Sequence, residues 1–181
     1  MGNELDYPVD SGSLFILARR INDFMPGHMY RLTLDGLNQA GRRMEGARVA
    51  ILGWAFLRDS DDTRNTPSGP YRDLLTDAGA EVSVHDPYVD GSPGIPVTRD
   101  LGEAISGADA LAILTGHSTY RALVPGEVRR WTGRERPVIV DGRNVVDPDA
   151  FIRAGVVYRG IERRHKNRHP LSRGETRMKT L

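Results

Sequence analysis

The chain contains no cysteine, which excludes disulfides, thiolate zinc sites and a cysteine nucleophile within it. Lysine is nearly absent, with Lys166 and Lys179 the only two among 25 basic residues. No run approaches the ~18 to 20 apolar residues of a membrane span. The start, Met-Gly-Asn-Glu-Leu-Asp, has neither the basic head nor the apolar core of a secretory signal. A soluble cytoplasmic protein is the expectation. No G-x-G-x-x-G fingerprint, P-loop or Ser-His-Asp arrangement stands out. Five scattered histidines lack acidic neighbours at metal-ligand spacing, so neither a metal site nor a catalytic group is assigned. Repeats and low-complexity segments are also missing.

What is present is a chain of 181 residues, 39% hydrophobic and 27% charged, enough for one domain with a full core. Its net charge of +1 conceals an asymmetry. From Arg159 onward there are eight Lys and Arg against two Asp and Glu, so the body is at −5 and the tail at +6. A run such as Arg163-Arg164-His165-Lys166 can meet an anionic partner, but it lacks interleaved aromatics, and a solvated tail is preferred to a nucleic-acid contact.

Apolar residues from Leu14 to Met44 recur at helical spacing and predict one long helix, roughly 13 to 44, kinked at Pro26 and Gly27. At Ala47–Gly53 the pattern becomes a short continuous apolar run, the mark of a parallel strand buried on both faces. A βα alternation follows. A helix runs from Pro67 to about Ala78 with Gly79 at its end, and a strand covers Glu81–His85. Asp100 caps a short helix to about Ser106, and strand Ala110–Leu114 precedes a weak helix near Gly126–Trp131. Strand Pro137–Val140, a helix from Asp147 and a closing strand at Val156–Tyr158 complete the series. The pattern predicts an α/β domain, a doubly wound Rossmann-like parallel sheet flanked by helices, with a long N-terminal helical arm.

Ligands in such sheets bind beyond the carboxyl ends of the strands. The segments there are Gly53–Pro67, Asp86-Pro87, Thr115-Gly116-His117 and Asp141-Gly142-Arg143-Asn144. The first ends at a helix start whose free amides favour anions. Arg64, Thr115, His117 and Arg143 can converge on a phosphorylated ligand, with Gly142 permitting close approach. Each has a plainer reading. Asp61 and Asp62 cap the next helix or pair with Arg64, Asp86 caps the Pro87 turn instead of contacting a ribose, and His117 is equally a turn residue. His28 and His85 are structural or surface residues, while Trp54 and Phe56 fill the core or stack on a base. The residues alone support an anion- or nucleotide-binding crevice without catalytic machinery.

In order along the chain, Gly53-Trp54-Ala55-Phe56-Leu57, Asp61-Asp62-Thr63-Arg64-Asn65-Thr66-Pro67, Gly79–Pro87, Ala108–His117, Asp141-Gly142-Arg143-Asn144 and Tyr158-Arg159-Gly160-Ile161 form a set. This set resembles the C-terminal, UDP-binding domain of the NAD-dependent UDP-glucose/GDP-mannose dehydrogenase family. Asn22-Asp23-Phe24-Met25-Pro26-Gly27-His28 is similar to the end of that family's central dimerisation helix, in the form of its N-acetylhexosamine branch. The polar start (1–12) is expected to be disordered and the basic tail (162–181) follows from the charge count, while the resemblance implies the end of a dimerisation helix (13–45) and a UDP-binding α/β domain (46–161). It implies that Phe56, Leu57, Arg58 and Arg143 bind the UDP-sugar and that Arg64 reaches toward NAD. Leu57 stands where the family has a lysine, and Arg58 is its neighbouring substitute. The family's NAD domain and catalytic cysteine lie upstream of the central helix, and only 21 residues precede Asn22. The expectation is therefore a detached nucleotide-sugar-binding module of a UDP-sugar 6-dehydrogenase involved in polysaccharide biosynthesis. Inactive alone, it is expected to be homodimeric through the N-terminal helix and to meet NAD only through a missing or separate chain. The alternative is a degenerate, non-catalytic dimeric scaffold or regulatory protein.

Overall fold

The computed structural model describes residues 11–161, so the basic tail and all but the last two residues of the expected disordered start lie outside the described residues. The first element, α1 (Ser11–Gln39), runs without interruption through Pro26. It ends five residues before the expected Met44, because Gly41 takes a left-handed turn and Arg42 N donates to the Leu37 carbonyl at 2.9 Å. That 6→1 bond satisfies a helix-end carbonyl and stops propagation. The described side chains divide α1 in two. Arg19 to Phe24 are all exposed, whereas Pro26, Met29, Thr33 and Leu37 form a buried stripe at helical spacing.

The remaining elements are β1 (Arg48–Leu52), α2 (Ser68–Asp77), β2 (Glu81–His85), α3 (Leu101–Ile105), β3 (Ala110–Ile113), a 3-10 turn η1 (Ser118–Ala122), α4 (Pro125–Thr132), β4 (Val138–Asp141), α5 (Pro148–Arg153) and β5 (Val157–Gly160). All strands pair in parallel in the order β2-β1-β3-β4-β5. Alternation along β1 sends Val49 and Ile51 to one core and Ala50 and Leu52 to the other. The first core lies under α1 and α2, with Leu32, Leu37 and Tyr71 closing it. The second lies under α3, η1, α4 and α5, with Ile105, Tyr120, Val128 and Phe151. Near the start of β3, Asp109 is buried and pairs with Arg42 at 2.9 Å and Arg134 at 2.8 Å, tying the end of α1 to the segment after α4.

In this strand order the topology reverses between β1 and β3, and a crevice opens beyond their carboxyl ends. The loops that follow β1, β3 and β4 therefore meet there.

Candidate functional site

At the end of β2, Asp86 is wholly buried, and both its oxygens are committed. Oδ2 accepts from the amides of Trp54 and Ala55 at 2.7 and 2.8 Å and from His117 Nε2 at 3.0 Å. Oδ1 accepts from the amides of Tyr88 and Val89. Burial alone raises the carboxyl pKa, but the bonds from His117 and these amides outweigh it and hold Asp86 at about 2. Asp86 thus fastens the Pro87 turn, as the plainer reading had it, and also the β1 loop; no acceptor is left for a ribose.

His117 is equally buried. Its Nδ1 accepts from the Asp59 amide at 2.9 Å, which places its proton on Nε2, facing Asp86. Asp59 in turn accepts from the amide and hydroxyl of Ser118 at 2.8 and 2.7 Å. The Thr115 hydroxyl donates to the Ala55 carbonyl. His117 therefore lines neither cavity, whereas Thr115 shares the wall of the smaller one with Arg143 although its hydroxyl is spent on Ala55. They pin the long β1–α2 loop from behind.

That loop begins at Gly53, whose φ of 101° is open to glycine and costly for other residues. A Cβ there would also meet Thr115, its amide nitrogen at 2.7 Å. The loop then separates its aromatics. Trp54 is buried in the core, while Phe56 and Leu57 are 44% and 53% exposed. The Phe56 amide donates to the Asp62 carbonyl at 2.7 Å, closing the loop on itself. Arg58 is exposed beside Asp59, at 3.8 Å. The Arg64 guanidinium donates twice to the Asp62 carboxylate, at 2.9 and 2.8 Å, and this pairing holds Asp62 at about 2. The ion-pair reading of Asp62 is the one observed.

At the end of β4, Asp141 is buried and accepts from the amides of Arg143, Val145 and Val146. The turn it builds directs Arg143 outward, and Arg143 Nε donates to the Leu114 carbonyl at 2.6 Å. Gly142 lines the larger cavity and is also packed closely against the fold. A Cβ on it would meet the Ile113 carbonyl at 2.9 Å and the Met29 methyl at 3.0 Å, so its bareness admits α1. The start of α2 is a poorer anion site than the sequence suggested. The Ser68 amide is taken by the Thr66 hydroxyl, the Tyr71 amide by the Pro67 carbonyl, and Pro70 has no N–H.

Two cavities result. The larger, about 840 Å³, lies between Asn22, Met25 and Met29 of α1, the exposed Phe56 and Leu57, and Arg64 and Arg143. Ile161, just past the last strand, also lines it. The smaller, about 310 Å³, lies on the other side of Phe56, Leu57 and Arg143, where Arg58 and Arg121 join them. Sequence reasoning missed the α1 wall and Arg121, since neither carries a motif. The non-glycine residues with left-handed backbone among those described are Asp59, Asn65 and Asn144, all in the loops around these cavities. Among the described residues, no cluster of His, Asp and Glu is fit to hold a metal, and no helix is long and apolar enough to cross a membrane.

A parallel sheet with a ligand-sized cleft at its switch point, lined by an exposed aromatic and arginines, defines a Rossmann-like ligand-binding domain. Residues 50–148 match the UDP-glucose/GDP-mannose dehydrogenase family, UDP binding domain, and the chain belongs to that family. It is 32% identical over 151 residues to a UDP-N-acetyl-D-mannosamine dehydrogenase of Pyrococcus horikoshii, covering 83% of this chain and 34% of that protein. It is 34% identical over 129 residues to a UDP-glucose 6-dehydrogenase of Rhizobium meliloti, covering 68% and 29%. The crystal structure of an NDP-N-acetyl-D-galactosaminuronic acid dehydrogenase from Methanosarcina mazei Go1 superposes with a TM-score of 0.84 at 52% identity, over 92% of this chain and 35% of that one. The chain spans about a third of the length of these relatives.

Proposed function

We propose that the domain binds a UDP-sugar in the larger cavity. Phe56 and Leu57 lie against the nucleotide, Arg143 meets its charged portion, and Arg58, which lines the adjoining smaller cavity, supplies the cation that Leu57 does not. The observation that carries this reading is the common exposure of Phe56, Leu57 and Arg143 at the switch point, while Asp86, Thr115 and His117 beside them are bonded internally. The relatives' names point to an N-acetylhexosamine as the sugar. Calorimetry at low salt should detect UDP and UDP-N-acetylhexosamine binding. No heat at millimolar UDP would favour the degenerate scaffold.

The turn after β1 does not fit a dinucleotide. Gly53 is packed on Thr115, and the aspartate after β2 has no free oxygen. We therefore assign NAD to another domain or a separate chain, with Arg64 the residue reaching toward it. This chain has no thiol for the aldehyde stage of a 6-dehydrogenation. Alone it should form no NADH with any UDP-sugar; steady NADH production by a preparation free of host dehydrogenase would refute this division of labour. Its working place is the cytoplasm, where nucleotide sugars are held.

The exposed half of α1, with Ile21 and Phe24 each more than half accessible, supports a homodimer through that helix. Light scattering should give a dimer mass that falls to a monomer in Phe24→Glu. A monomeric parent would end this reading.

A further inference from the structure

The smaller cavity is lined by Phe56, Leu57, Arg58 and Arg143, which the UDP reading uses, and by one cation that it does not, Arg121. Of its eight lining residues, three are arginines, Arg58, Arg121 and Arg143, and none is acidic. Arg58 has Asp59 at 3.8 Å, and Arg143 spends its Nε on the Leu114 carbonyl. Arg121 makes no hydrogen bond or ion pair with any described residue.

Its position is nevertheless fixed. The turn η1 that carries it is held at Ser118 by two bonds to Asp59, and Tyr120 is fully buried with its hydroxyl 2.9 Å from His85 Nδ1. Leu123 behind it is buried as well. Arg121, without a partner among the described residues, and Arg58 and Arg143 beside it line a cavity that has no acidic residue in its wall, so an anion there gains guanidinium contacts without displacing a lining carboxylate. The two cavities share Phe56, Leu57 and Arg143 as their common wall, so one extended ligand can reach into both.

We propose that the smaller cavity is a phosphate-binding subsite in which Arg121, together with Arg58 and Arg143, holds phosphate oxygens of the ligand whose remainder lies in the larger cavity. That the ligand is a nucleoside diphosphate sugar rests on the functional reading above; the preference of Arg121 for phosphate does not. Recognition by guanidinium forks predicts that a diphosphate binds better than a monophosphate.

The test is titration of the full chain with inorganic pyrophosphate, UMP and UDP at low ionic strength, comparing the parent with Arg121→Gln and with Arg153→Gln, an exposed arginine that lines neither cavity. Arg121→Gln should weaken pyrophosphate and UDP about tenfold, leave UMP within about twofold, and keep the parent's melting temperature. Arg153→Gln should bind all three like the parent. Pyrophosphate that fails to bind the parent, or binds Arg121→Gln and the parent equally, overturns the subsite. Equal weakening by Arg121→Gln and Arg153→Gln also overturns it, because the effect is then general charge. If pyrophosphate binds through Arg121 but UDP binds no better than pyrophosphate, the subsite stands and the uridine reading falls.

Discussion

At the end of β2 the chain turns on Asp86, and at the end of β4 it turns on Asp141; the two aspartates are 0% and 1% exposed. Both gather backbone amides. Asp86 gathers them from two different loops and adds His117, so it joins β2 to the excursion that follows β1. Asp141 takes only amides from the next five residues, and what it fixes is one local turn. The first aspartate holds a surface in place, and the second aims a single side chain, Arg143. At this sheet edge the acids do the holding, while the arginines and Phe56 that they place are left exposed along the two cavities.

The largest way to break the comparison is Asp86→Ala. It leaves His117 and the amides of Trp54 and Ala55 buried without an acceptor, which should cost about 3 to 5 kcal/mol and lower Tm by roughly 10 °C or more. Thermal unfolding followed by circular dichroism checks it; a Tm within 2 °C of the parent would mean that the network is ornamental. Arg143→Ala is the converse experiment. Loss of a charge-assisted contact of ~1.5 to 3 kcal/mol should weaken UDP ten- to hundredfold with little change in Tm. A variant that binds UDP normally yet melts early would make Arg143 a structural residue.

Acid titration sharpens the contrast without mutation. Asp86 sits at about 2 in the fold against ~3.9 unfolded, so its contribution is complete above about pH 4. About 2 kcal/mol of stability is then lost as pH falls toward 2, because the unfolded state binds the proton first. His85, whose pKa is lowered by burial, adds a loss of the same sign beginning below about pH 6.5. Denaturant midpoints across this range should fall with pH, and the step between 4 and 2 should vanish in Asp86→Asn. The smallest effect belongs to Arg64→Ala. Its guanidinium already has the Asp62 carboxylate, so UDP affinity should change by less than about threefold. A tenfold loss would move Arg64 into the UDP site.

Most of the sheet was legible because each strand is a short apolar run closed by turn residues. Glu81–His85, the cap at Asp100 and the helix start at Asp147 stand where the sequence puts them. The end of α1 was misplaced because Met44 continues the apolar rhythm although it returns to the core from a turn, past Gly41. The turn η1 was missed because Ser118–Ala122 has no periodicity of its own and is held by Asp59 and His85 from elsewhere in the chain. The same physical reason governs the site. Sequence order puts Thr115 and His117 after a strand, as it does Arg143, but which of them points inward depends on the β1 loop crossing over them.

The span over which this chain matches its family, 50–148, is shorter than the body that folds. Cutting at residue 50 would remove α1, and with it Met29, Leu32 and Leu37, leaving only α2 to cover that core. Cutting at 148 would remove β5 and leave the outer edge of β4, from Val138 to Asp141, with its ladder unpaired. The same cut at 50 would take away Asn22, Met25 and Met29, and the larger cavity would become an open ledge. A graft meant to carry this pocket into another protein has to begin within α1, ahead of Asn22, and run through Ile161.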